Sequence, residues 1–392
     1  MKKIAFISTE IWSSYNPEGI VARKILKGLI DCGYDVEVIT TKKFEYKNIT
    51  VISNGIPEFL DKIIKYLFGI EKLFFIKRVI KYLNISSYKY DLIITRSEPI
   101  ALHLIHFFLK TQAKKIAMFS DVGYLNPYYS KFFLLKKVIL FIIEKKIIDK
   151  VNILTHTNRF VIEKYVHNGF ESSKFRIFPN PLEISELSDN VEYRDKKCKE
   201  IISLAYTGSL YGSRNPDRFF SYLADQENKN FTVYLVGAVR NMYYEKHRFG
   251  KVGTLLKNKE LNLLKNKIEY FGLNENIKIL PFMRKSELEE FIKNNIDILV
   301  NIDAPSEVNL FLSSKVVDYI QYNLPILNIS NEGASVDFLK NVGILKYMDY
   351  NKEFNYSLRD IVESGDFLPN YKLIHKFSTV SLLNKLIIED LI

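Results

Sequence analysis

The sequence predicts an α/β protein of two Rossmann-like, doubly wound domains that face each other across a cleft. The chain has 392 residues, and chains longer than roughly 250 to 300 residues usually divide into domains of about 100 to 200. Apolar segments typical of strands alternate with helical patterns in the first half, and the alternation begins again near residue 200. Such alternation is typical of parallel sheets with helices on both faces.

The first half, residues 1–182, contains the elements of one domain. A strand is expected over Lys3–Ser8, a helix over Gly19–Cys32 and a strand over Tyr34–Thr40, and Gly33 ends the helix. This strand, helix and strand form the unit from which parallel sheets are built. Later elements of the same kind are strands at 91–95, 115–119 and 151–155 and helices over 101–110 and up to residue 149.

The second half, residues 200–370, repeats the pattern. One strand, Ile201–Tyr206, ends at Gly208, and another, Phe231–Val236, ends at Gly237. The remaining predicted elements are strands at 277–280, 298–301 and 325–328 and helices from residue 216, over 285–294 and over 313–322. Ligands of such sheets bind beyond the carboxyl ends of the strands, so we expect the chemistry in those loops.

Two further segments connect and close this arrangement. Residues 183–199 mix charges without an apolar period, which predicts a linker between the domains. Residues 371–392 predict a C-terminal helix that packs back toward the first domain.

The composition is basic and soluble in character. Lys and Arg number 56 against 45 Asp and Glu, a net charge of +11, and aromatic residues make up 14%. This balance fits a nucleic acid, an anionic membrane surface or a phosphorylated substrate as partner. The two cysteines, Cys32 and Cys198, cannot form a disulfide framework or a zinc site. They therefore indicate the reducing cytoplasm. No apolar run approaches the roughly 18 to 20 residues that span a bilayer, so we expect no transmembrane helix.

Three stretches of the second half resemble the retaining glycosyltransferases of family four, of the bacterial surface-polysaccharide type. In order they are Ala205–Phe219 (AYTGSLYGSRNPDRF), Asn276–Ile302 and Phe311–Leu327 (FLSSKVVDYIQYNLPIL). The resemblance implies the GT-B fold and a hexosyltransferase that uses a nucleotide-diphosphate sugar, UDP more readily than GDP. It also implies retention, a hydroxyl acceptor on a lipid-linked glycan, and a role in capsule, O-antigen or exopolysaccharide synthesis.

The third stretch predicts a site for a diphosphate. Ser313 and Ser314 begin a helix, where free backbone N–H groups and the helix dipole favour an anion, and Lys315 adds a full charge. Asp318 follows on the same face one turn later and can reach the hydroxyls of a ribose. The alternative is an ordinary helix cap with a surface ion pair between Lys315 and Asp318.

Other candidates in the second half follow from the resemblance. It places Gly208 and Ser209 in the loop at the donor, Arg214 on the diphosphate, and Phe282 beside the base. An arginine suits this role because its guanidinium can bind phosphate oxygens in bidentate fashion. Ser209 stands where the family often has a second arginine, and a solvated loop arginine remains the alternative for Arg214.

The acidic pair of the family is incomplete in this chain. Family members commonly space two glutamates with seven residues between them. Asp318 occupies the second place, but Leu310 occupies the first. Glu307, three residues earlier, is therefore the candidate for contact with the donor sugar and for catalysis. Asp303 is a comparable candidate by proximity alone.

The first half carries fewer candidates. Gly19 can approach the donor diphosphate through its backbone, Asp121 is a candidate catalytic or acceptor-binding residue, and Arg96 follows a strand end on the acceptor side. For each of these three residues, an ordinary loop position without a functional role is an equally good interpretation. His103 and His106 are expected to be packed on one helix rather than to bind a metal.

The sequence also lacks the Asp-x-Asp motif by which another glycosyltransferase fold holds a metal. We therefore expect no metal and no cofactor, the nucleotide sugar being a substrate. Fixed cations can stabilise the leaving diphosphate instead.

Much of the positive charge lies in two stretches of the first half. Residues 58–81 contain six basic and three acidic residues, and residues 131–150 contain six and two, with large apolar residues between them. This mixture predicts a peripheral protein on anionic lipid at the inner face of the membrane. Amphipathic helices with extended lysine stems are the alternative. The sequence has no nucleic-acid-binding motif. A nucleotide-sugar epimerase and a basic nucleic-acid-binding protein remain the alternative functions.

Overall fold

The protein folds into two compact units in the computed structural model, which describes residues 2–14, 16–68, 71–126, 134–182, 200–210, 214–239 and 253–389. Unit 1 comprises Met1–Ile184 with His375–Ile392, and unit 2 comprises Ser185–Ile374. The predicted linker at 183–199 lies outside the described residues. Both units contain a parallel β-sheet with helices, so the predicted α/β class is confirmed.

Unit 1 is built on a seven-stranded parallel sheet. Its strands are β1 (Lys3–Ile7), β2 (Asp35–Thr40), β3 (Ile49–Val51), β4 (Leu92–Arg96), β5 (Lys114–Met118), β6 (Ile153–His156) and β7 (Phe175–Ile177). The strand order is β3-β2-β1-β4-β5-β6-β7, so the order reverses between β1 and β4. The edge strands β3 and β7 were not predicted, because three residues are too few to show a pattern.

The helices of unit 1 cover both faces of this sheet. They are α1 (Pro17–Asp31), α2 (Glu58–Phe68), α3 (Leu73–Ser86), α4 (Ile105–Phe108), α5 (Leu134–Lys150) and α6 (Arg159–His167). Helix α1 begins where it does because the Asn16 side chain accepts the N–H of Glu18 and Pro17 occupies the first turn. The helix predicted over 101–110 is instead a 3-10 turn, Ile100–Leu104, followed by the short α4.

Unit 2 is built on a five-stranded parallel sheet. The strands are β8 (Ile202–Thr207), β9 (Phe231–Val236), β10 (Ile277–Leu280), β11 (Ile298–Ile302) and β12 (Ile326–Ile329). Their order is β10-β9-β8-β11-β12, so the order reverses between β8 and β11. The helices are α7 (Asp217–Ala224), α8 (Gly253–Tyr270), α9 (Lys285–Asn295), α10 (Ser314–Tyr319), α11 (Ala334–Asn341), α12 (Leu358–Glu363) and α13 (Tyr371–Ile374).

The C-terminal segment returns to unit 1 as a broken helix rather than a continuous one. After α13 come a 3-10 turn at His375–Phe377, helix α14 at Thr379–Asn384 and a π-helical turn at Lys385–Glu389. The break falls at Ser378, whose hydroxyl accepts the N–H of Ser381 and so starts a new helix. Leu383 is buried in the apolar core that α1 covers.

Alternating strand residues form the two cores of unit 1. Ile4 and Phe6 of β1 are buried in the core with α1, and Ala5 and Ile7 are buried in the opposite core with α3. Successive side chains of a strand point to opposite faces, so a strand covered on both faces is apolar throughout. Among the helices of the described ranges, we find none long and apolar enough to cross a bilayer.

Candidate functional site

The first candidate site lies where the strand order of unit 2 reverses. Neighbouring loops run in opposite directions at such a point, which leaves a crevice at the carboxyl ends of the strands. Strand β8 is followed by Gly208, which has a φ of +85° and donates its N–H to the Val236 carbonyl over 2.7 Å. Strand β11 is followed by Asp303, which is buried.

Lys315 extends from α10 across the turn at Gly208. A Cβ added to Gly208 would stand 2.8 Å from Lys315 Nζ and 2.7 Å from its Cε. The ammonium donates to Tyr206 Oη over 3.3 Å and lies 4.8 Å from the centre of the Tyr206 ring. Glycine is needed at 208 because any side chain would occupy the place of the lysine.

The charges of Lys315, Arg214 and Asp303 act on one another. Burial and, next, the positive charge of Arg214 lower the pKa of Lys315 to about 7, and the charge of Asp303 opposes both effects. Burial likewise raises the pKa of Asp303, against a hydrogen bond from Ser335 and the charge of Arg214. Because Arg214 and Lys315 repel each other, a bound anion would stabilise both cations.

Asp303 is held by a network of buried polar groups. The Asn309 amide donates to Asp303 Oδ2 over 2.9 Å, and the Tyr350 hydroxyl donates to the Asp303 carbonyl over 2.6 Å. The backbone of Asn309 pairs with the segment around Gly333, accepting the Ala334 N–H over 2.7 Å. The sequence analysis missed Asn309, and no motif signals it, since its role depends on partners in another loop.

Helix α10 is joined to β8 by a tyrosine. Tyr319 Oη lies 2.8 Å from Thr207 Oγ1 and accepts the Thr207 N–H over 3.0 Å. Ser313 is the N-cap, in extended conformation, and its side chain makes no capping hydrogen bond; Ser314 is the first helical residue. Asp318 is partly buried on the next turn, and its charge contributes to the raised pKa of Tyr319, after burial.

The remaining unit 2 candidates lie in loops that follow strands of the sheet. Phe282 is 45% exposed, and its Cα lies 3.6 Å from the position that a Cβ on Gly237 would take; the Cα of Gly208 lies 3.8 Å from the same point. The Ser209 carbonyl accepts the Tyr206 hydroxyl over 3.1 Å. Glu307 is exposed in the loop after β11.

The charge of the Asp303 carboxyl group acts on Lys315, and the charge of Arg214 acts on Asp303. In the sequence, the signal for Asp303 as a site residue was its position close to Glu307.

A second cluster lies where the strand order of unit 1 reverses. Arg96 ends β4, is 1% exposed, and places its Nε 3.4 Å from Oε2 of Glu18 in the first turn of α1. Burial raises the pKa of Glu18, and the charge of Arg96 opposes that effect. A Cβ on Gly19 would overlap the carbonyl oxygens of Glu10 and Ser13, so glycine is required there by close packing.

The other unit 1 candidates lie near this edge of the sheet. Asp121 is partly buried in the loop after β5. His103 and His106 are buried, and both bond to the Thr95 hydroxyl, over 2.6 and 2.7 Å, as packed side chains. Throughout the part of the chain that the structure describes, there is no group of three or more His, Cys, Asp or Glu residues placed to hold a metal ion.

Comparison with known proteins shows similarity in structure alone. No protein-family model and no curated protein matches the sequence. HepE of Anabaena, solved with UDP-glucose, is 14% identical with a TM-score of 0.64, covering 100% of this chain and 99% of HepE. Sucrose-phosphate synthase of Thermosynechococcus elongatus is 13% identical with a TM-score of 0.65, covering 98% and 94%.

The lipopolysaccharide outer core galactosyltransferase WaaB is a third similar structure. It is 11% identical with a TM-score of 0.59, and the match covers 99% of this chain and 100% of WaaB. At such identities the likeness shows the fold, which many functions can share. The predicted fold class, α/β of the GT-B type, is therefore confirmed.

Proposed function

We propose that this protein is a glycosyltransferase that moves a sugar from a nucleoside-diphosphate sugar to a hydroxyl group of a glycan. The observation that carries the proposal is the placement of Lys315 over Gly208 at the strand reversal of unit 2, with Arg214 and Asp303 beside it. A diphosphate can bind both cations through charge-assisted hydrogen bonds. The fold shared with HepE, which was solved with UDP-glucose, supports UDP as the nucleotide.

The proposed roles follow from where each group lies. Lys315 and Arg214 bind the diphosphate and stabilise the charge that develops on it as the sugar leaves. Because both cations are fixed by the fold, they can do so without a metal ion or cofactor. Ser313 and Ser314 contribute hydrogen bonds at the start of α10, Gly208 and Ser209 line the donor loop, and Phe282 flanks the base.

The remaining assignments concern the ribose, the sugar and the acceptor. Asp318 binds the ribose hydroxyls, one helical turn beyond Lys315. Glu307 contacts the donor sugar. In unit 1, Asp121 acts in catalysis or binds the acceptor, Arg96 serves the acceptor, and the Gly19 backbone serves the donor diphosphate. The transfer retains the anomeric configuration, and the acceptor is a lipid-linked glycan of a capsule, O-antigen or exopolysaccharide. The protein then works as a cytoplasmic enzyme at the inner face of the membrane.

A thermal-shift panel of nucleotides tests the proposal. UDP, GDP, ADP, CMP and their sugars are added one at a time, and we expect a UDP-sugar to raise the melting temperature most. Binding to the folded state alone stabilises it by about 2.7 kcal/mol at a hundredfold excess over the dissociation constant. If no nucleotide or nucleotide sugar shifts the transition, the proposal is wrong.

The products then distinguish a transferase from an epimerase. The stabilising donor is incubated with protein alone and with a lipid-linked glycan extract, and both reactions are followed by mass spectrometry and NMR. A transferase releases the nucleoside diphosphate when the acceptor is present. Conversion of the donor sugar without acceptor would instead indicate an epimerase.

Gly208→Ala is expected to weaken binding of UDP-glucose by at least about tenfold, because its Cβ displaces Lys315 and removes a charge-assisted hydrogen bond. Isothermal titration calorimetry measures the affinity. Gly272→Ala is the matched control: its φ is +66°, but nothing lies within 4 Å of the added Cβ. Both variants carry about 1 to 2 kcal/mol of backbone strain. Equal affinities in the two variants would contradict the placement of Lys315 at the diphosphate.

A further inference from the structure

An exposed apolar patch covers part of unit 1. We define the α2–α3 patch by its five exposed large side chains: Phe59, Leu60, Ile63, Leu73 and Phe74. Their exposed fractions are 61%, 39%, 49%, 40% and 40% respectively. Single exposed apolar residues are common on soluble proteins, but such a group within sixteen positions marks a binding surface.

The fold holds the two parts of the patch together. Phe59 and Ile63 lie four residues apart and therefore on one face of α2. Asp61, buried on the same helix, accepts the N–H of Lys72 over 2.9 Å and pairs with its ammonium at 3.8 Å. This contact ties the start of α3 to α2, so Phe74 belongs to the same surface.

Helix α3 divides into a buried face and an exposed face. Phe75, Ile76, Val79 and Leu83 are buried in the core against the sheet of unit 1. The opposite face begins with the apolar residues of the patch and continues with three exposed basic residues: Lys77, Arg78 and Lys81. Helix α3 contains no acidic residue, so this face is uniformly positive.

The adjoining helix α5 continues the same chemistry. It packs against α2 and exposes Val138 and Ile142 at 46% and 47%. Lys145 and Lys146 are exposed on the next turn. Glu144, which precedes them, is fully buried and so adds no carboxylate to this surface. The apolar surface is therefore bordered by lysines on two helices.

We propose that the α2–α3 patch docks unit 1 onto an anionic lipid bilayer. Apolar side chains flanked by lysines and arginines match the two layers of such a surface, the acyl chains and the phosphate headgroups. A second copy of the chain fits poorly as the occupant, because two faces of the same positive charge would repel. The purpose of the docking rests on the proposed function, since it brings the enzyme to a lipid-linked acceptor, but the docking requires no substrate.

Vesicle co-sedimentation tests the proposal with the full chain. Vesicles of phosphatidylcholine with about 30% phosphatidylglycerol are compared with phosphatidylcholine alone, at low and high salt. We expect binding to the anionic vesicles that high salt weakens, and little binding to the neutral ones. The triple variant Phe59→Ser, Ile63→Ser and Phe74→Ser removes apolar area from the patch. Because apolar burial supplies part of the affinity, we expect its partition coefficient for the anionic vesicles to fall by at least about tenfold.

Matched controls replace equally exposed residues elsewhere on the chain. The apolar control is the triple variant Ile177→Ser, Leu263→Ser and Leu345→Ser, at positions exposed by 52%, 55% and 57%. Two double variants test the charge. The first, Lys77→Gln with Lys81→Gln, changes the basic face of α3. The control is Lys259→Gln with Lys293→Gln, and all four lysines are exposed.

Only the patch variants should weaken binding. The proposal is overturned by wild-type binding that does not depend on anionic lipid, or by equal losses in patch and control variants. It is also overturned by concentration-dependent dimers that the patch variant abolishes. The patch variant is also assayed for transfer to a soluble glycan acceptor. A variant that no longer binds vesicles but still transfers sugar shows that membrane docking and the proposed function are separate properties.

Discussion

Lys315→Met is expected to weaken UDP-sugar binding by about 10- to 150-fold and to abolish measurable sugar transfer, since a charge-assisted hydrogen bond contributes about 1.5 to 3 kcal/mol. Methionine keeps most of the apolar stem of lysine, so the substitution removes the ammonium, with its contacts to Tyr206, and changes the volume little. Titration calorimetry with UDP-glucose measures the affinity. Release of UDP in the presence of acceptor measures the transfer.

Two further variants isolate the charge of Lys315. Lys293→Met, at an exposed position on α9, carries the same change and should bind as the wild type does. In the wild type, the pKa of Lys315 is about 7, and a bound diphosphate raises it. Affinity should therefore be constant below pH 7 and fall by up to about tenfold per pH unit above it, because binding then takes up a proton.

Lys315→Arg stays charged at every accessible pH, so its affinity should not follow this profile. UDP-glucose is the suitable probe because its diphosphate has no group that titrates between neutral and alkaline pH. Unchanged affinity in Lys315→Met, or the same pH profile in Lys315→Arg, would show that the ammonium does not bind the diphosphate.

Glu144→Ala is expected to lower the free energy of unfolding of unit 1 by about 3 to 5 kcal/mol, the combined cost of a cavity and of unsatisfied buried groups. Glu144 is fully buried on α5 and accepts hydrogen bonds from the Tyr165 hydroxyl and from the Tyr124 N–H, the latter over 2.9 Å. The alanine leaves both donors without a partner. Differential scanning calorimetry measures the loss.

Glu144→Gln provides the control, since it keeps the volume and can bond to both partners. Burial raises the pKa of Glu144 to about 8, against the two hydrogen bonds. The stabilising contribution of the protonated carboxyl is therefore complete below its unfolded pKa of about 4.3 and is lost as pH rises through 8. Relative to Glu144→Gln, the wild type should become less stable as pH rises over that range. A difference that is constant with pH would contradict the assigned pKa.

This second prediction also concerns the candidate site of unit 1. Tyr124 follows Asp121 in the same loop, and a Cβ on Gly123 would overlap the Glu144 carboxyl group. The Glu144 side chain therefore holds in place the loop that carries Asp121. The sequence showed Asp121 at a strand end but gave no sign that a buried acid 23 residues later supports it.

Local patterns accounted for most of the fold. The strands Phe231–Val236 and Ile277–Leu280 were predicted with the bounds that the structure has, because runs of β-branched and aromatic residues between turn residues leave little ambiguity. The short strand Ile49–Val51 was missed because it forms only by pairing with β2 at the sheet edge. The helix expected over 371–392 was interrupted by Ser378, whose capping hydroxyl competes with a continuous helix.

The amino-acid sequence was sufficient for the fold class and for Lys315 and Asp318 as candidates, because strand periodicity, helix starts and charged residue types are local properties. The resemblance to a known family added Arg214. The tertiary structure was needed to find Asn309, the buried partners of Asp303 and the pairing of Arg96 with Glu18. These groups matter through burial and through partners far away in sequence. Burial and contact with distant partners both arise when parallel strands bring their carboxyl ends to one edge of a sheet. A local sequence pattern cannot predict either of them.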